Sequence, residues 1–78
     1  MTSLDLRGLK CPLPALRTRK ALRQLAADEV LVVSCTDPLS ALDIPHLVRE
    51  TGDHLEHHEQ ADGLFIFHIR RGAEAPSS

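Results

Sequence analysis

The sequence is poor in aromatic residues and in net charge. It contains two Phe and no Trp or Tyr, and nine Lys and Arg stand against eleven Asp and Glu, for a net charge of −2. Nucleic-acid binding requires a clustered basic surface, and single strands are bound by aromatic side chains on which bases stack. We therefore expect no direct nucleic-acid partner, and an RNA-binding domain is the least favoured reading.

Long apolar segments and cysteine frameworks are also missing. No apolar run approaches the ~20 residues that span a bilayer, and the opening MTSLDLRGLK lacks the basic start and apolar run of a signal peptide. Two cysteines are too few for a zinc ribbon or a disulfide framework. We expect a cytoplasmic protein with no membrane association, in which Cys11 and Cys35 stay reduced.

What is present is the pattern of one small globular domain of 78 residues, 42% of them hydrophobic. Alternating or continuous apolar residues predict strands, and an apolar stripe at helical spacing predicts helices. We predict strands at 4–7, 30–35, 54–60 and 64–71, a helix at 14–26, and a second helix whose start the pattern does not fix. Its apolar face contains Ala41, Ile44, Pro45, Leu47 and Val48, and it ends near Thr51. The domain covers 3–71, and 72–78 form a flexible tail. Gly52 ends the second helix, and Pro45 lies in its first turn or after a separate leading turn.

The order β-α-β-α-β-β predicts the architecture. A strand, a helix and a second strand form a parallel pair with a crossover, and Asp62-Gly63 is typical of a turn that joins two antiparallel strands. Two helices on one face of a mixed four-stranded sheet give a two-layer sandwich of the α+β class. The last strand is apolar on both sides, so its other face is either bare or covered by the tail. We expect a monomer or a weak dimer.

A cysteine and two prolines, Cys11-Pro12-Leu13-Pro14, stand where the first helix begins. Proline is tolerated in the first turn because the N–H groups there have no intrahelical acceptor. Cys11 therefore lies at the N-cap or just before it, exposed, where the helix dipole and Lys10 favour the nucleophilic thiolate. The alternative is a small apolar thiol buried under the helix start.

This segment resembles the TusA-like (SirA-like) family of sulfur-carrier proteins. The resemblance rests on LDLRGLKCPLPALRTRKAL at 4–22, on Asp37-Pro38, on Asp43-Ile44-Pro45 with Gly52, and on the closing DGLFIFHIRR, and it covers residues 4–71. It implies the two-layer fold predicted above. It also implies that Cys11 carries sulfane sulfur as a persulfide, with no other cofactor.

The resemblance further implies protein partners. A donor such as a cysteine desulfurase or a rhodanese would load Cys11, and an acceptor protein in tRNA thiolation, cofactor biosynthesis or sulfur oxidation would take the sulfur. Thiol exchange of this kind needs one accessible thiolate and no internal base. Whether such a carrier counts as an enzyme stays open. The alternative is a non-enzymatic regulatory or binding module with a redox-sensing or structural thiol.

Residues around the motif are candidates for partner binding. Leu13 and Leu16 fall off the core stripe of the first helix, so they form a docking face beside the thiol or cap the end of the core. Basic residues next to them would suit acidic partner surfaces. The predicted binding residues are Lys10, Pro12, Leu13, Pro14 and Arg17, with Cys11 as the catalytic residue.

Three further features have structural readings that we favour. Cys35 ends the central strand and is read as a buried core thiol, although it could also resolve a Cys11 persulfide or form a disulfide. Asp37 and Asp43 could be read as paired carboxylates, but the reading that we favour is that both are helix caps. All five histidines follow residue 45, so no base is expected near Cys11, which argues against a cysteine hydrolase.

His54, Glu56 and His58 alternate along the predicted edge strand and should share one of its faces. Histidines and a carboxylate can bind zinc or copper. The favoured reading is an edge strand blunted by polar side chains. We therefore expect no metal site.

Overall fold

Four strands and two helices follow the chain in the predicted order. The computed structural model describes residues 2–72. The elements are β1 (Thr2–Leu6), α1 (Leu13–Arg23), β2 (Val30–Cys35), α2 (Ser40–Thr51), β3 (His54–Ala61) and β4 (Leu64–Arg70). The predicted α+β class is confirmed. Of the predicted tail, residues 73–78 lie outside the described residues.

The sheet is mixed, in the order β1-β2-β4-β3. β1 and β2 are parallel, with Leu6 opposite Cys35, and β4 pairs antiparallel with both β2 and β3. The β3–β4 connection uses Asp62 and Gly63, both at positive φ, as an Asp-Gly turn requires. The carboxyl ends of β1 and β2 therefore lie at the same edge of the sheet, and the loops that leave them meet there.

The core lies between the sheet and the two helices. Alternate residues of β2 and β4 point to this side and are buried, because successive side chains of a strand point to opposite faces. Leu22 from α1 and Ile44 and Val48 from α2 pack against them in one cluster. The strand residues of this cluster are Leu6, Leu31, Val33, Cys35, Phe65, Phe67 and Ile69. Both helices thus cover the same face, as predicted.

The start of α1 and the place of Pro45 in α2 differ from the prediction. α1 begins at Leu13, one residue early, with Pro12 as its N-cap. α2 begins at Ser40, and Pro45 is inside it, at its sixth residue. The predicted place for Pro45 is therefore wrong. The turn before the helix continues directly into it, because the Leu42 and Asp43 N–H groups both donate to the Leu39 carbonyl. The first turn of the helix is therefore complete before Pro45.

The end of α2 is linked to the end of β4. Gly52 caps α2 in the left-handed conformation, at φ 79°, which favours glycine. Next to it the buried Asp53 accepts hydrogen bonds from the Gly72 N–H at 2.8 Å and from the Thr51 hydroxyl at 2.6 Å. A Cβ at Gly72 would lie 2.5 Å from the Gly52 carbonyl oxygen. The last described residue is therefore packed against the helix end.

Candidate functional site

Cys11 lies on the loop from β1 to α1, one residue before the helix N-cap. The Leu13 N–H donates to the Lys10 carbonyl at 2.9 Å and the Leu16 N–H to the Pro12 carbonyl at 3.1 Å. These bonds hold the lead-in against the first turn of α1. The thiol is exposed. The second of the two predicted positions, just before the N-cap, is therefore correct.

Asp37, on the loop from β2 to α2, binds the backbone of Cys11. One carboxylate oxygen accepts the Cys11 N–H at 2.5 Å, and the other accepts the Leu39 N–H at 3.1 Å. A second bond joins the same two loops, from the Gly8 N–H to the Thr36 hydroxyl at 2.8 Å. Hydrogen bonds thus link the two loops that follow the parallel strands, and the loop after β2 fixes the position of Cys11.

Asp43 binds the thiol itself. It lies in the first turn of α2, and its Oδ2 accepts a hydrogen bond from the Cys11 Sγ at 3.0 Å. The prediction that Asp43 is a helix cap is wrong, because the N-cap of α2 is Leu39 and Asp43 binds the thiol instead. Asp37 is not the N-cap either, but its carboxylate caps the turn that leads into α2 by accepting the Leu39 N–H, so the prediction holds for Asp37 in part. The prediction that no base lies near Cys11 is wrong as well, because the Asp43 carboxylate contacts the thiol. The two residues are 32 positions apart in the sequence.

This contact reverses the expected electrostatics of the thiol. The hydrogen bond to Asp43 raises the pKa of Cys11 above its ordinary value, and desolvation and the negative charges of Asp43 and Asp37 raise it further. The predicted lowering of that pKa by the helix and by Lys10 is therefore wrong for the free protein. A carboxylate in contact with a thiol opposes the formation of a second negative charge.

A groove of about 270 Å³ runs from Cys11 between the two helices. Its lining combines apolar side chains of both helices with charged ones, and the charged Asp43 lies directly beside the thiol. Arg19 of α1 pairs with Glu50 of α2 at 3.6 Å, and His46 pairs with the same Glu50 at 3.4 Å. The full lining is Cys11, Pro12, Ala15, Leu16, Arg19, Asp43, His46, Leu47 and Glu50. An exposed thiol at the end of an open groove can be reached by a segment of another protein.

Comparison with known proteins assigns this arrangement to a family. The family model described as Sulfurtransferase TusA matches residues 2–71. The chain belongs to the TusA family. The resemblance seen in the sequence is thereby confirmed, and the carrier role that it implied is supported by the relatives that follow.

Relatives and a solved structure agree with this assignment. A sulfur carrier protein TusA of Allochromatium vinosum is 40% identical over 68 residues, which cover 87% of this chain and 90% of that protein. A putative sulfur carrier protein of Neisseria meningitidis serogroup A is 44% identical over 68 residues, covering 87% of this chain and 92% of its own. The crystal structure of a SirA-like protein from Desulfitobacterium hafniense superposes with a TM-score of 0.80 at 29% identity, covering 92% of this chain and 99% of that one.

A TusA-family chain of this kind is a sulfur carrier, and a carrier works with protein partners. Four large apolar side chains are exposed near the starts of the two helices. Leu13 and Leu16 are 42% and 56% exposed, and Leu39 and Leu42 at the start of α2 are 51% and 71% exposed. We call these four side chains the leucine rim. The sequence prediction found its α1 half and missed its α2 half.

The other predicted binding residues fall into two groups. Lys10, Pro12 and Arg17 are exposed, as contact with a partner protein requires. Pro14 is buried, so its prediction as a binding residue is wrong. It lies in the second position of α1 and packs toward the core with Thr18 and Leu22, so it supports the helix start from within.

Cys35 is fully buried in the core cluster. Burial raises the pKa of its thiol, against a smaller opposing effect of a hydrogen bond with Ser40. Both cysteines are free thiols. The structural reading of Cys35 is therefore the one that the structure supports, and the TusA-family site contains a single accessible thiol among the described residues.

The three residues predicted to share a face of β3 are divided by a β-bulge. His54 lies opposite Arg70, whereas His58 lies opposite the buried Phe67, and the register shifts between them. The extra residue of a bulge reverses the alternation that follows it, so the common face is wrong. Glu56 pairs with Arg70 at 2.9 Å. Within residues 2–72 no three metal-ligating side chains are grouped, and no helix there is long and apolar enough to cross a bilayer.

Proposed function

We propose that the sulfur is carried on Cys11 as a persulfide. Cys11 is the exposed cysteine, it stands at the end of the groove, and relatives of the chain are named as sulfur carriers. In loading, the Cys11 thiolate attacks the outer sulfur of a donor persulfide. A bond forms between Cys11 Sγ and that sulfur, the donor's S–S bond breaks, and the electron pair leaves on the donor thiolate. No oxidant is needed.

Delivery repeats the same exchange in the other direction. The outer sulfur on Cys11 is attacked by an acceptor nucleophile, and the Cys11 thiolate is the leaving group. The sulfur is bound covalently, so the proposal requires no resident cofactor. It also places no catalytic base or oxyanion hole in the carrier, because a partner's active site can supply them.

The partners proposed are a protein donor and a protein acceptor. The donor is of the cysteine desulfurase or rhodanese type, and the acceptor serves tRNA thiolation, cofactor biosynthesis or sulfur oxidation. The carrier acts in the cytoplasm as a monomer or weak dimer, without direct contact to nucleic acid. The net charge of −2 and the lack of Trp and Tyr support that last point.

The leucine rim is the proposed contact area for both partners. Large apolar side chains grouped around a reactive atom mark an interaction site, and Lys10 and Arg17 would add charge at its edge. Both partners must reach the same sulfur atom. We therefore expect donor and acceptor to compete for the carrier and not to bind it together.

Loading can be tested by intact mass. The reduced protein is incubated with glutathione persulfide, separated from the reagent and weighed, beside Cys11→Ser and Cys35→Ser. We expect a gain of one sulfur atom in the wild type and in Cys35→Ser, and none in Cys11→Ser. If the wild type gains nothing, or if Cys11→Ser still loads, the carrier mechanism on Cys11 fails. The module with a redox-sensing or structural thiol would then take its place.

A further inference from the structure

In the free protein the Cys11 sulfur contacts a carboxylate, and the negative charge of this group disfavours the thiolate, which is the nucleophilic form. Asp43 Oδ2 lies 3.0 Å from Cys11 Sγ, and Asp37 binds the backbone N–H of the same residue. Sulfur exchange requires the thiolate. A carrier built in this way is restrained until something changes the surroundings of Asp43.

The charges that face the site indicate what is missing. Asp43 and Asp37 are half-buried, and within residues 2–72 neither has an ion-pair partner closer than 4.0 Å. The groove's own cation, Arg19, is directed to Glu50. His46 also faces Glu50, and Lys10 is exposed. The negative charge beside the thiol is therefore left for a group from outside.

We propose that Asp43 holds Cys11 as a thiol in the free carrier, and that a basic side chain of the docked partner pairs with Asp43 and so releases the thiolate only within the complex. This inference rests on the proposed function and adds to it the charge of the partner. It assigns to Asp43 a direct role on the reacting atom. The partner surface that it predicts is apolar opposite the leucine rim and basic opposite Asp43.

The step balances without any further reagent. When the basic side chain pairs with Asp43, the Cys11 proton passes to water and its electron pair stays on Sγ. The thiolate then attacks the outer sulfur of the donor persulfide, whose S–S bond breaks with the pair leaving on the donor thiolate. After the partner leaves, the freed Asp43 again faces the sulfur. In the unloaded carrier it takes up the thiol hydrogen bond once more.

The charge selectivity of Cys11 modification tests this proposal without a partner. The probes are 2-(trimethylammonium)ethyl methanethiosulfonate, which is cationic, and its anionic 2-sulfonatoethyl counterpart, each compared with its rate on free cysteine. A unit charge a few ångströms from a carboxylate at the surface changes the energy by about 1 kcal/mol, or about fivefold in rate. Because the carboxylate attracts the cationic probe and repels the anionic one, we expect wild type to prefer the cationic probe by about 25-fold and Asp43→Asn to lose most of this preference.

The pH profile with neutral iodoacetamide is the second readout. Asparagine keeps an acceptor for the thiol but removes the charge, so the pKa of Cys11 falls from its raised value and more thiolate forms at pH 7. Each unit of pKa changes the thiolate fraction about tenfold. We expect Asp43→Asn to react about threefold to tenfold faster than wild type at pH 7, and the wild-type rate to keep rising above pH 9.

Asp28→Asn is the matched control. It makes the same charge change on an exposed residue before β2, at the other end of the sheet, and it should leave both readouts within about 1.5-fold of wild type, since solvent screens charges beyond a Debye length. Thermal unfolding confirms that both variants are folded. If Asp43→Asn keeps the wild-type charge preference and rate, the proposal is wrong. Because none of the three reagents delivers sulfane sulfur, this result is separate from any failure of sulfur loading.

Discussion

Cys11 and Cys35 lie near the carboxyl ends of two neighbouring parallel strands, yet their surroundings differ in almost every respect. Cys35 is still part of β2, opposite Leu6, and its side chain points into the core. Cys11 lies beyond β1 on a loop stiffened by Pro12 and tied to Asp37, and it is exposed. A few residues of chain beyond the strand end therefore separate an exposed thiol from a buried one.

The comparison also separates two ways of raising a thiol pKa. For Cys35 the main cause is burial, which removes water from the charged form. For Cys11 the main cause is the hydrogen bond to Asp43, a single contact at the surface. Burial can be relieved only by opening the core, whereas a surface contact can be relieved by a docking partner. Under the proposal above, docking of a partner lowers the pKa of Cys11, whereas the pKa of Cys35 stays raised as long as the core is closed.

The largest expected difference is in the alkylation of the two thiols in the native protein. With iodoacetamide at pH 8, Cys11 should react at least about 1,000-fold faster than Cys35, because Cys35 can react only when the core opens, at a cost of several kcal/mol. Peptide mapping of the two modified sites over time measures the ratio. In urea above the unfolding midpoint the two rates should become equal within about threefold. Comparable rates in the native protein would break the comparison.

Substitution by serine should lower the stability of the protein clearly at Cys35 and hardly at all at Cys11. Cys35→Ser places a hydroxyl in an apolar core and should lower the free energy of unfolding by about 1–3 kcal/mol. Cys11→Ser should change it by less than about 0.5 kcal/mol, because surface substitutions have small effects. Urea unfolding followed by far-UV circular dichroism measures both. Cys35→Ala, which adds no polar group, is the control that separates the hydroxyl from the lost volume.

The smallest expected effect on the folded protein comes from the leucine rim. Leu16→Ser removes an apolar side chain that is 56% exposed, so the free energy of unfolding should change by at most about 0.5 kcal/mol. Alkylation of Cys11 should stay within about twofold of wild type, whereas sulfur transfer from a protein donor should slow. Leu22→Ser in the core is the contrasting control and should destabilise strongly. A Leu16→Ser variant that loads from a protein donor at the wild-type rate would remove the rim from the docking surface.

Much of the fold was predictable because local patterns and tertiary packing agree. β2 was placed correctly from its run of β-branched residues, and Gly52 marked the end of α2. The β-bulge at Glu56 left no comparable signal, since the polar residues on either side of it fit both registers. Pro45 was misplaced because the propensity rule excludes proline from a helix interior, and here the packing of Ile44 and Val48 outweighs it.

The site was predictable only in part. The position of Cys11 followed from the local chemistry of two prolines at a helix start. The contact of Asp43 with the thiol did not, because a side chain 32 residues away reaches the thiol only after the sheet forms. One signal was available: loops after parallel strands meet at one edge of the sheet, so the acidic residues that follow β2 could have been placed beside Cys11. Asp is common at helix N-caps, and that role was predicted for both residues instead.

The central claim is that Cys11, and not Cys35, takes up a sulfur atom and gives it back. The most direct measurement loads the wild type with glutathione persulfide, removes the donor, and locates the extra sulfur by tandem mass spectrometry of the alkylated peptides. Cyanide, which takes up sulfane sulfur as thiocyanate, is then added to the remainder. We predict one extra sulfur on the Cys11 peptide and an equal amount of thiocyanate, with the free thiol restored. Extra sulfur on the Cys35 peptide, or sulfur on Cys11 that cyanide cannot remove, would contradict the account.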